Sequence, residues 1–257
     1  MKSFTVLLAI VLLTSVRPLA AQIITDRPDF ADATIPVPVG MLQVESGYLY
    51  GKTPGVDQHT LGQLLVKTGL TDNMEIRLGI NSYENIHDPV GDVSGFSDGS
   101  LGIKFRLLKA KEKTGPGSFN LSTIISTGIP SGQREFRSYH LSPGMMLTAD
   151  MALSPNWTWA PFAQYTYLED GAGQYNELSA GFSLLRPLSA KTGWYVEYYI
   201  TVAETGYRED NHYIGSGFTR LLSDQIQLDL YGGSALNGIT PDYFIGAGVS
   251  FMFAMGN

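Results

Sequence analysis

The stretch Gln225-Ile226-Gln227-Leu228-Asp229-Leu230-Tyr231 alternates polar with apolar side chains, residue by residue. A period of two is typical of a β-strand, because successive side chains of a strand point to opposite faces of the sheet. The same alternation recurs along the chain, for example at residues 74–81 and 101–107. The sequence therefore predicts an all-β protein whose strands have one apolar face and one polar face.

The N-terminus has the features of a secretion signal. Lys2 supplies a positive charge, residues 6–13 are apolar, and the small residues Ala20 and Ala21 precede a predicted cleavage site. The apolar run is too short for a transmembrane helix. Alternating strands behind such a signal predict an antiparallel, up-and-down transmembrane β-barrel in the bacterial outer membrane, with its apolar face toward lipid.

Composition excludes several functional classes. The formal net charge is −7 and only 16% of residues are charged, so the basic patch of a nucleic-acid-binding protein is absent. The chain has no Cys, which excludes disulfides, thiolate metal ligands and a lipoprotein anchor. His59, His87 and His212 stand singly in predicted loops or strand ends. We therefore predict no metal site and no cofactor.

About 12 strands can be read along the chain, joined alternately by tight turns and by longer polar loops. Short periplasmic turns and longer outer loops are the topology of outer-membrane barrels, and an even strand count places both termini in the periplasm. We divide the chain into a signal peptide (1–21), a Pro-rich N-terminal segment (22–40) and a barrel (41–257). The predicted strands are 41–51, 59–70, 73–84, 96–109, 118–129, 143–153, 157–169, 175–188, 192–204, 212–222, 225–236 and 242–254.

Several segments resemble a bacterial family of outer-membrane β-barrels labelled as transporters or as "meta-pathway of phenol degradation" proteins. The similarity runs along nearly the whole mature chain. It implies an outer-membrane barrel that passes small molecules, aromatic or hydrophobic ones among them, and it brings no catalytic residues. The segments that carry it are Thr25-Asp26-Arg27-Pro28-Asp29-Phe30, 37–40, 43–48, 69–79, 98–106, 227–229, 235–237 and 241–242.

The polar face of the strands predicts the lining of the lumen. Charges of both signs point inward, so two interpretations compete: a polar network that fills and rigidifies the barrel, and a pore lining that selects solutes. A barrel of about 12 strands lies between filled eight-stranded and open 16-stranded ones, so its size does not decide between them. The inward-facing residues are Glu45, Lys67, Glu75, Arg77, Lys104, Arg106, Asp150, Glu177, Glu197, Gln227 and Asp229, with Gln43, Gln63 and Gln164 among the uncharged ones.

Residues 22–40 differ from the strands. Pro28, Pro36 and Pro38 forbid a continuous strand or helix there, and four charged residues make the segment polar. Three interpretations stay open: a plug folded into the barrel mouth, a periplasmic arm and a loosely ordered leader.

One motif of the sequence bears on an enzymatic function. His140-Leu141-Ser142 has the His-x-Ser spacing of outer-membrane phospholipases and deacylases, which places a base and a nucleophile on one side of a strand. Pro143 follows where those families have Asn, and the strand parity directs both side chains into the lumen, whereas lipid substrates approach from outside. We therefore predict that the protein is not an enzyme.

The sequence as a whole favours passive transport of small molecules across the outer membrane. The expected partners are outer-membrane lipid, the barrel-assembly machinery and a small solute that the sequence does not identify. A structural barrel without transport is the alternative, and a lipid-modifying enzyme is a more distant one.

Overall fold

The computed structural model describes residues 22–110, 116–170, 173–205, 210–237 and 242–256. The predicted signal peptide lies outside these residues. The described parts contain 14 strands and no helix, and therefore no helix that could span a membrane. The strands are β1 (Met41–Thr53), β2 (Val56–Thr71), β3 (Met74–Ile80), β4 (Tyr83–Asp88), β5 (Gly91–Phe96), β6 (Gly99–Leu108), β7 (Phe119–Ile129), β8 (Ser142–Ser154), β9 (Trp157–Asp170), β10 (Gly173–Ser189), β11 (Thr192–Ala203), β12 (Asn211–Ser223), β13 (Ile226–Ala235) and β14 (Tyr243–Ala254).

The sheet closes on itself. Strand β1 pairs antiparallel with β2 on one side and with β14 on the other, with Met41 opposite Ala254 and Lys52 opposite Tyr243. The closed ring contains 12 strands, because β4 and β5 are additions at one end of it. Closure satisfies the edge hydrogen bonds that lipid could not satisfy. The predicted fold class, a 12-stranded antiparallel barrel, is confirmed.

The barrel wall has its polar side chains inside and its apolar side chains outside, the reverse of a water-soluble protein. Along β13, Gln227 and Asp229 are buried inside the barrel, whereas Leu228 and Leu230 are 39% and 53% exposed on its outside. The same alternation holds around the ring, with the buried charged side chains inside and large apolar side chains outside. Such an exterior is stable in lipid, as expected of an outer-membrane barrel.

One predicted strand is wrong. The single strand expected over 73–84 breaks at Asn81, whose side chain donates hydrogen bonds to Ser97 O at 2.5 Å and Ser131 Oγ at 3.0 Å. Opposite the break, β2 bulges at Gly62 and Gln63, which have positive φ angles of 99° and 38°. The chain then continues as the β4–β5 hairpin, which replaces the predicted loop at 87–95 and delays the next strand to Gly99.

Candidate functional site: the occupied lumen

Residues 22–40, hereafter the N-terminal segment, run through the interior of the barrel. At the periplasmic end, the Ile23 N–H donates to Asp224 O at 2.7 Å, beside the β12–β13 turn. The C-terminal end of the segment lies near the β2–β3 turn, where Val39 forms a parallel bridge with Gly69 of β2. A side chain on Gly69 would collide with the carbonyl of Val37, so glycine there lets the two backbones meet.

The segment is held by a cluster of buried charges centred on Asp26. Its Oδ2 lies 2.6 Å from Lys67 Nζ and 2.9 Å from Arg77 Nη2, and its Oδ1 lies 3.0 Å from Lys104 Nζ. Lys67 also pairs with Glu45 at 2.6 Å. We call Asp26 and these four side chains, together with Asp32 and Glu75, the ionic cluster.

The barrel wall and the segment supply complementary charges to this cluster. Lys67 and Arg77 are directly opposite each other on β2 and β3, an arrangement of like charges that is destabilising on its own. Asp26 Oδ2 contacts both cations, and Asp32 pairs with Arg77 at 2.6 Å. The wall alone has three cations and two anions; Asp26 balances the surplus positive charge, and Asp32 adds a fourth anion, which pairs with Arg77.

The neighbouring cations determine the ionisation of Asp26. Burial by itself raises the pKa of this carboxyl group, but Lys104, Lys67 and Arg77 together hold the pKa well below its usual range. Asp26 is therefore ionised near neutral pH, and its carboxylate pairs with all three cations there.

Backbone groups of the segment also bind wall carboxylates. Glu45 accepts hydrogen bonds from the N–H groups of Asp26 at 3.1 Å and Arg27 at 3.2 Å. Glu75 accepts one from the Val37 N–H at 2.7 Å. Because these acceptors are fully buried and charged, such bonds are among the stronger ones in a protein.

Arg27 lies against four neighbouring strands of the wall, β2, β1, β14 and β13. Its guanidinium donates to both carboxylate oxygens of Asp229, at 3.3 and 3.2 Å, and to Gln63 Oε1 at 3.0 Å. Gly47 and Gly248 are paired across β1 and β14 directly beneath it, and a Cβ on either would collide with the guanidinium. The two glycines therefore form the floor on which Arg27 lies.

The middle of the segment meets the wall differently. The Phe30 N–H donates to Glu197 Oε2 at 2.8 Å, and the Phe30 ring lies against Tyr199 and Phe162. Among the residues that the structure describes, neither Asp29 nor Glu197 forms an ion pair with a Lys or Arg. Burial and the charge of Glu197 raise the pKa of Asp29 well above its ordinary value.

Two cavities adjoin this middle part. The outer one has a volume of about 400 Å³ and is lined by aromatic side chains of β11–β14, including Tyr213 and Phe244. The periplasmic one, of about 330 Å³, lies beside the β10–β11 turn and Trp194. Pro28 and Asp29 line both cavities, so this short stretch of the segment separates them.

The structure places the predicted lumen residues in three groups. Glu45, Lys67, Glu75, Arg77 and Lys104 meet in the ionic cluster. Asp229 binds Arg27, Gln227 donates to Thr25 Oγ1 at 2.6 Å, and Glu197 accepts from Phe30. The remaining three lie apart from these contacts or touch a different part of the segment. Asp150 accepts from Asn120 and Thr34, Arg106 has a buried Nε without a hydrogen-bond partner among the described residues, and Glu177 lies toward the outer end of β10.

Sequence reasoning missed the residues of the segment that complete the site. Asp26, Arg27 and Phe30 belong to a motif quoted above, but their roles depend on partners tens to hundreds of residues away. A usable signal was present in the excess of positive charge on the inward faces of β2, β3 and β6, which requires acids from elsewhere.

No hydrogen bond joins His140 to Ser142 of the His-x-Ser motif in the parts of the chain that the structure describes. His140 is exposed in the loop before β8, and its ring contacts Glu169 at 3.2 Å and Gln174 at 2.9 Å. No cluster of three or more His, Asp or Glu side chains suited to a metal ion occurs in the described parts of the chain.

Comparisons with known proteins agree with this architecture. An outer-membrane channel from Pseudomonas putida F1 has a similar structure, with a TM-score of 0.69 and 12% identity, over 93% of this chain and 100% of that one. The NanC porin is also similar, with a TM-score of 0.55 and 12% identity, over 82% and 98% of the two chains. A comparison with curated protein sequences finds no match.

At these identities the structural similarities show the fold alone. A family profile, in contrast, matches residues 25–253, which include the N-terminal segment from Thr25 onward and nearly the whole barrel. The chain therefore belongs to the family described as "Putative MetA-pathway of phenol degradation".

Proposed function

We propose that this barrel is a passive channel for small molecules across the outer membrane, and that solutes pass between the N-terminal segment and the wall of β10–β14. The observation that carries the proposal is the pair of cavities that meet at Pro28 and Asp29. Displacement of two or three residues of the segment joins the outer cavity to the periplasmic one.

The distribution of contacts supports this route. On the β1–β3 and β6 side the ionic cluster occupies most of the lumen, beside a smaller cavity of about 170 Å³ at Asp32 and Arg77, and its members are nearly all less than 10% exposed. Opening a path there requires separating buried ion pairs, at about 3–5 kcal/mol for each uncompensated charge. On the β10–β14 side, the contacts of residues 28–30 among the described residues are the Phe30 hydrogen bond to Glu197, a polar contact of the Asp29 side chain with Ser183, and aromatic contacts, with no ion pair to Lys or Arg.

Single-channel conductance of the purified protein in planar lipid bilayers tests the proposal. We expect small, brief openings in the wild type, and larger and longer ones when Pro28, Asp29 and Phe30 are all replaced by Gly. Val90→Gly is the control, because this residue is 97% exposed in the β4–β5 turn. A well-folded barrel that stays silent in both forms would favour the alternative, a structural barrel without transport.

A further inference from the structure

An aromatic slot lies in the wall beside the outer cavity. Phe162 of β9, Gly181 of β10 and Tyr199 of β11 are in register on three neighbouring strands, and all three face the lumen. Because Gly181 has no side chain, its position is a gap between two buried rings. A Cβ at this position would collide with the backbone and Cβ of Tyr199, so the gap exists only with glycine.

The Phe30 ring fills this gap. Its centroid lies 4.2 Å from that of Tyr199, nearly parallel to it, and 5.3 Å from that of Phe162. Strands on either side of a common neighbour are roughly 10 Å apart, which matches a ring inserted between the two walls. The slot therefore accepts one planar ring of this size, and Phe30 supplies it from within the same chain.

The occupied slot is open toward the outer cavity. Phe30 is 40% exposed, although Phe162 and Tyr199 are buried, so one edge of the inserted ring faces the cavity. Tyr213 stacks on the far side of Tyr199, at 4.6 Å between centroids, and continues the aromatic surface toward the outer end of the barrel. A solute entering from outside meets aromatic faces before it reaches the slot.

A hydrogen-bond acceptor stands at the slot. Glu197, two residues before Tyr199 on the same face of β11, is 4% exposed and accepts the Phe30 backbone N–H. When Phe30 leaves the slot, this carboxyl group loses that donor inside the barrel, where an unpaired polar group is unfavourable. A solute that fills the slot and also donates a hydrogen bond replaces both contacts.

We propose that the slot is a binding site for planar aromatic solutes with a hydroxyl or amine donor, and that Phe30 is a tethered occupant which such a solute displaces. The proposal deepens the transport function proposed above, because Phe30 adjoins the stretch that separates the two cavities. Binding itself is independent of flux and can be measured at equilibrium.

The test is fluorine NMR titration of the purified protein in lipid nanodiscs, with empty nanodiscs as the baseline. The probes are 4-fluorophenol, fluorobenzene, which lacks the donor, and 4-fluorocyclohexanol, which lacks the aromatic face. We expect Phe30→Ala to bind 4-fluorophenol roughly tenfold more tightly than the wild type does, because the competing ring is removed. Unchanged or weaker binding by this variant would overturn the proposal, since Phe30 would then be no competitor.

The preference among probes tests the chemistry of the site. In the Phe30→Ala background, 4-fluorophenol should bind more tightly than either other probe, and adding Glu197→Leu should abolish its advantage over fluorobenzene. Glu204→Leu, at an exposed acid just beyond the end of β11 and outside the cavity lining, is the control and should leave the advantage intact. Equal binding of all three probes would contradict the assignment of the donor and of the planar ring.

Conductance separates this inference from the proposed function. Tight, selective binding by a barrel that never conducts would support the binding slot and contradict the proposed channel. Conductance without selective binding would support the channel and contradict the binding slot.

Discussion

Asp26 and Asp29 lie three residues apart on one segment inside the same barrel, yet their surroundings are opposite. Asp26 contacts three cations of the wall, whereas Asp29 lies near Glu197 without a Lys or Arg ion pair among the described residues. Burial raises the pKa of both carboxyl groups, but only Asp26 has cations that reverse the effect. Neighbouring charges, more than depth in the barrel, decide whether a buried acid anchors the chain.

The N-terminal segment therefore consists of an anchored part and a yielding part. The anchored part contains Asp26, Arg27 and Val37, and its hydrogen bonds end on Glu45, Glu75 and Asp229. The yielding part is residues 28–30. A channel that has to stay sealed against large solutes and still pass small ones needs both properties within a few residues.

The largest effect is expected from Asp26→Asn. The substitution removes the anion shared by Lys67, Lys104 and Arg77, and among the described residues it leaves buried Lys104 with only a 3.7 Å pair to Glu75. We expect the free energy of unfolding to fall by about 3–5 kcal/mol, as measured by urea titration of the barrel in phospholipid vesicles. Asp92→Asn is the control, since this exposed acid of β5 contacts only His87 among the described residues. A loss below about 1 kcal/mol, the size of a surface pair, would contradict the anchoring role.

A smaller effect is expected from Gly47→Ala. The added methyl group collides with the Arg27 guanidinium, which Asp229 and Gln63 hold in place. Overpacking of this kind destabilises by about 1–3 kcal/mol in the same unfolding assay. Gly51 is four residues along the same face of β1 and has nothing within 4 Å of its Cβ position, so Gly51→Ala is a matched control. Equal effects of the two substitutions would show that Arg27 moves aside freely.

The smallest effect is expected from a change of pH, to which Asp29 and Asp26 should respond differently. The raised pKa of Asp29 means that its contribution to the closed state is fully present below its unfolded pKa, near 3.8, and is lost as pH rises through the folded pKa. The open probability should therefore increase with pH in single-channel recordings. Asn at position 29 should flatten the profile.

Asp26 has the opposite sign. Its lowered pKa gives a contribution that is present above 3.8 and is lost only as pH falls through a still lower folded pKa. The stabilising contribution of Asp26 should therefore be constant between about pH 5 and pH 8. A pH-dependence that survives in Asp29→Asn would assign the effect to another group.

Local patterns were sufficient to predict the barrel. Alternation at Gln227, Leu228, Asp229 and Leu230 identifies the inner and outer faces, because strand geometry allows no other assignment within a run. The count of closing strands followed from the same pattern. The β4–β5 hairpin was missed because it depends on the side-chain contacts of Asn81 with a distant loop, which no periodicity encodes.

The site was predictable only in part. The alternation of side chains along a strand shows that Lys67 and Lys104 face the lumen, but it does not show which acid forms ion pairs with them. Asp26 is 78 residues from Lys104 in sequence, and Arg27 is 202 residues from Asp229. Such pairs form when the whole ring closes around the segment. Phe30 was equally hidden, because the gap at Gly181 exists only when three strands are in register.

Residue-resolved amide hydrogen exchange of the native barrel shows whether residues 28–30 open while the anchored part of the segment stays closed. The N–H groups of Asp26, Val37 and Phe30 each donate to one wall carboxylate, at 3.1, 2.7 and 2.8 Å, so they are matched reporters of the two parts of the segment. We expect the Asp26 and Val37 amides to be at least roughly tenfold more protected than that of Phe30, because only residues 28–30 open locally. Equal protection of all three amides would mean that the segment moves as one unit, and would contradict the account.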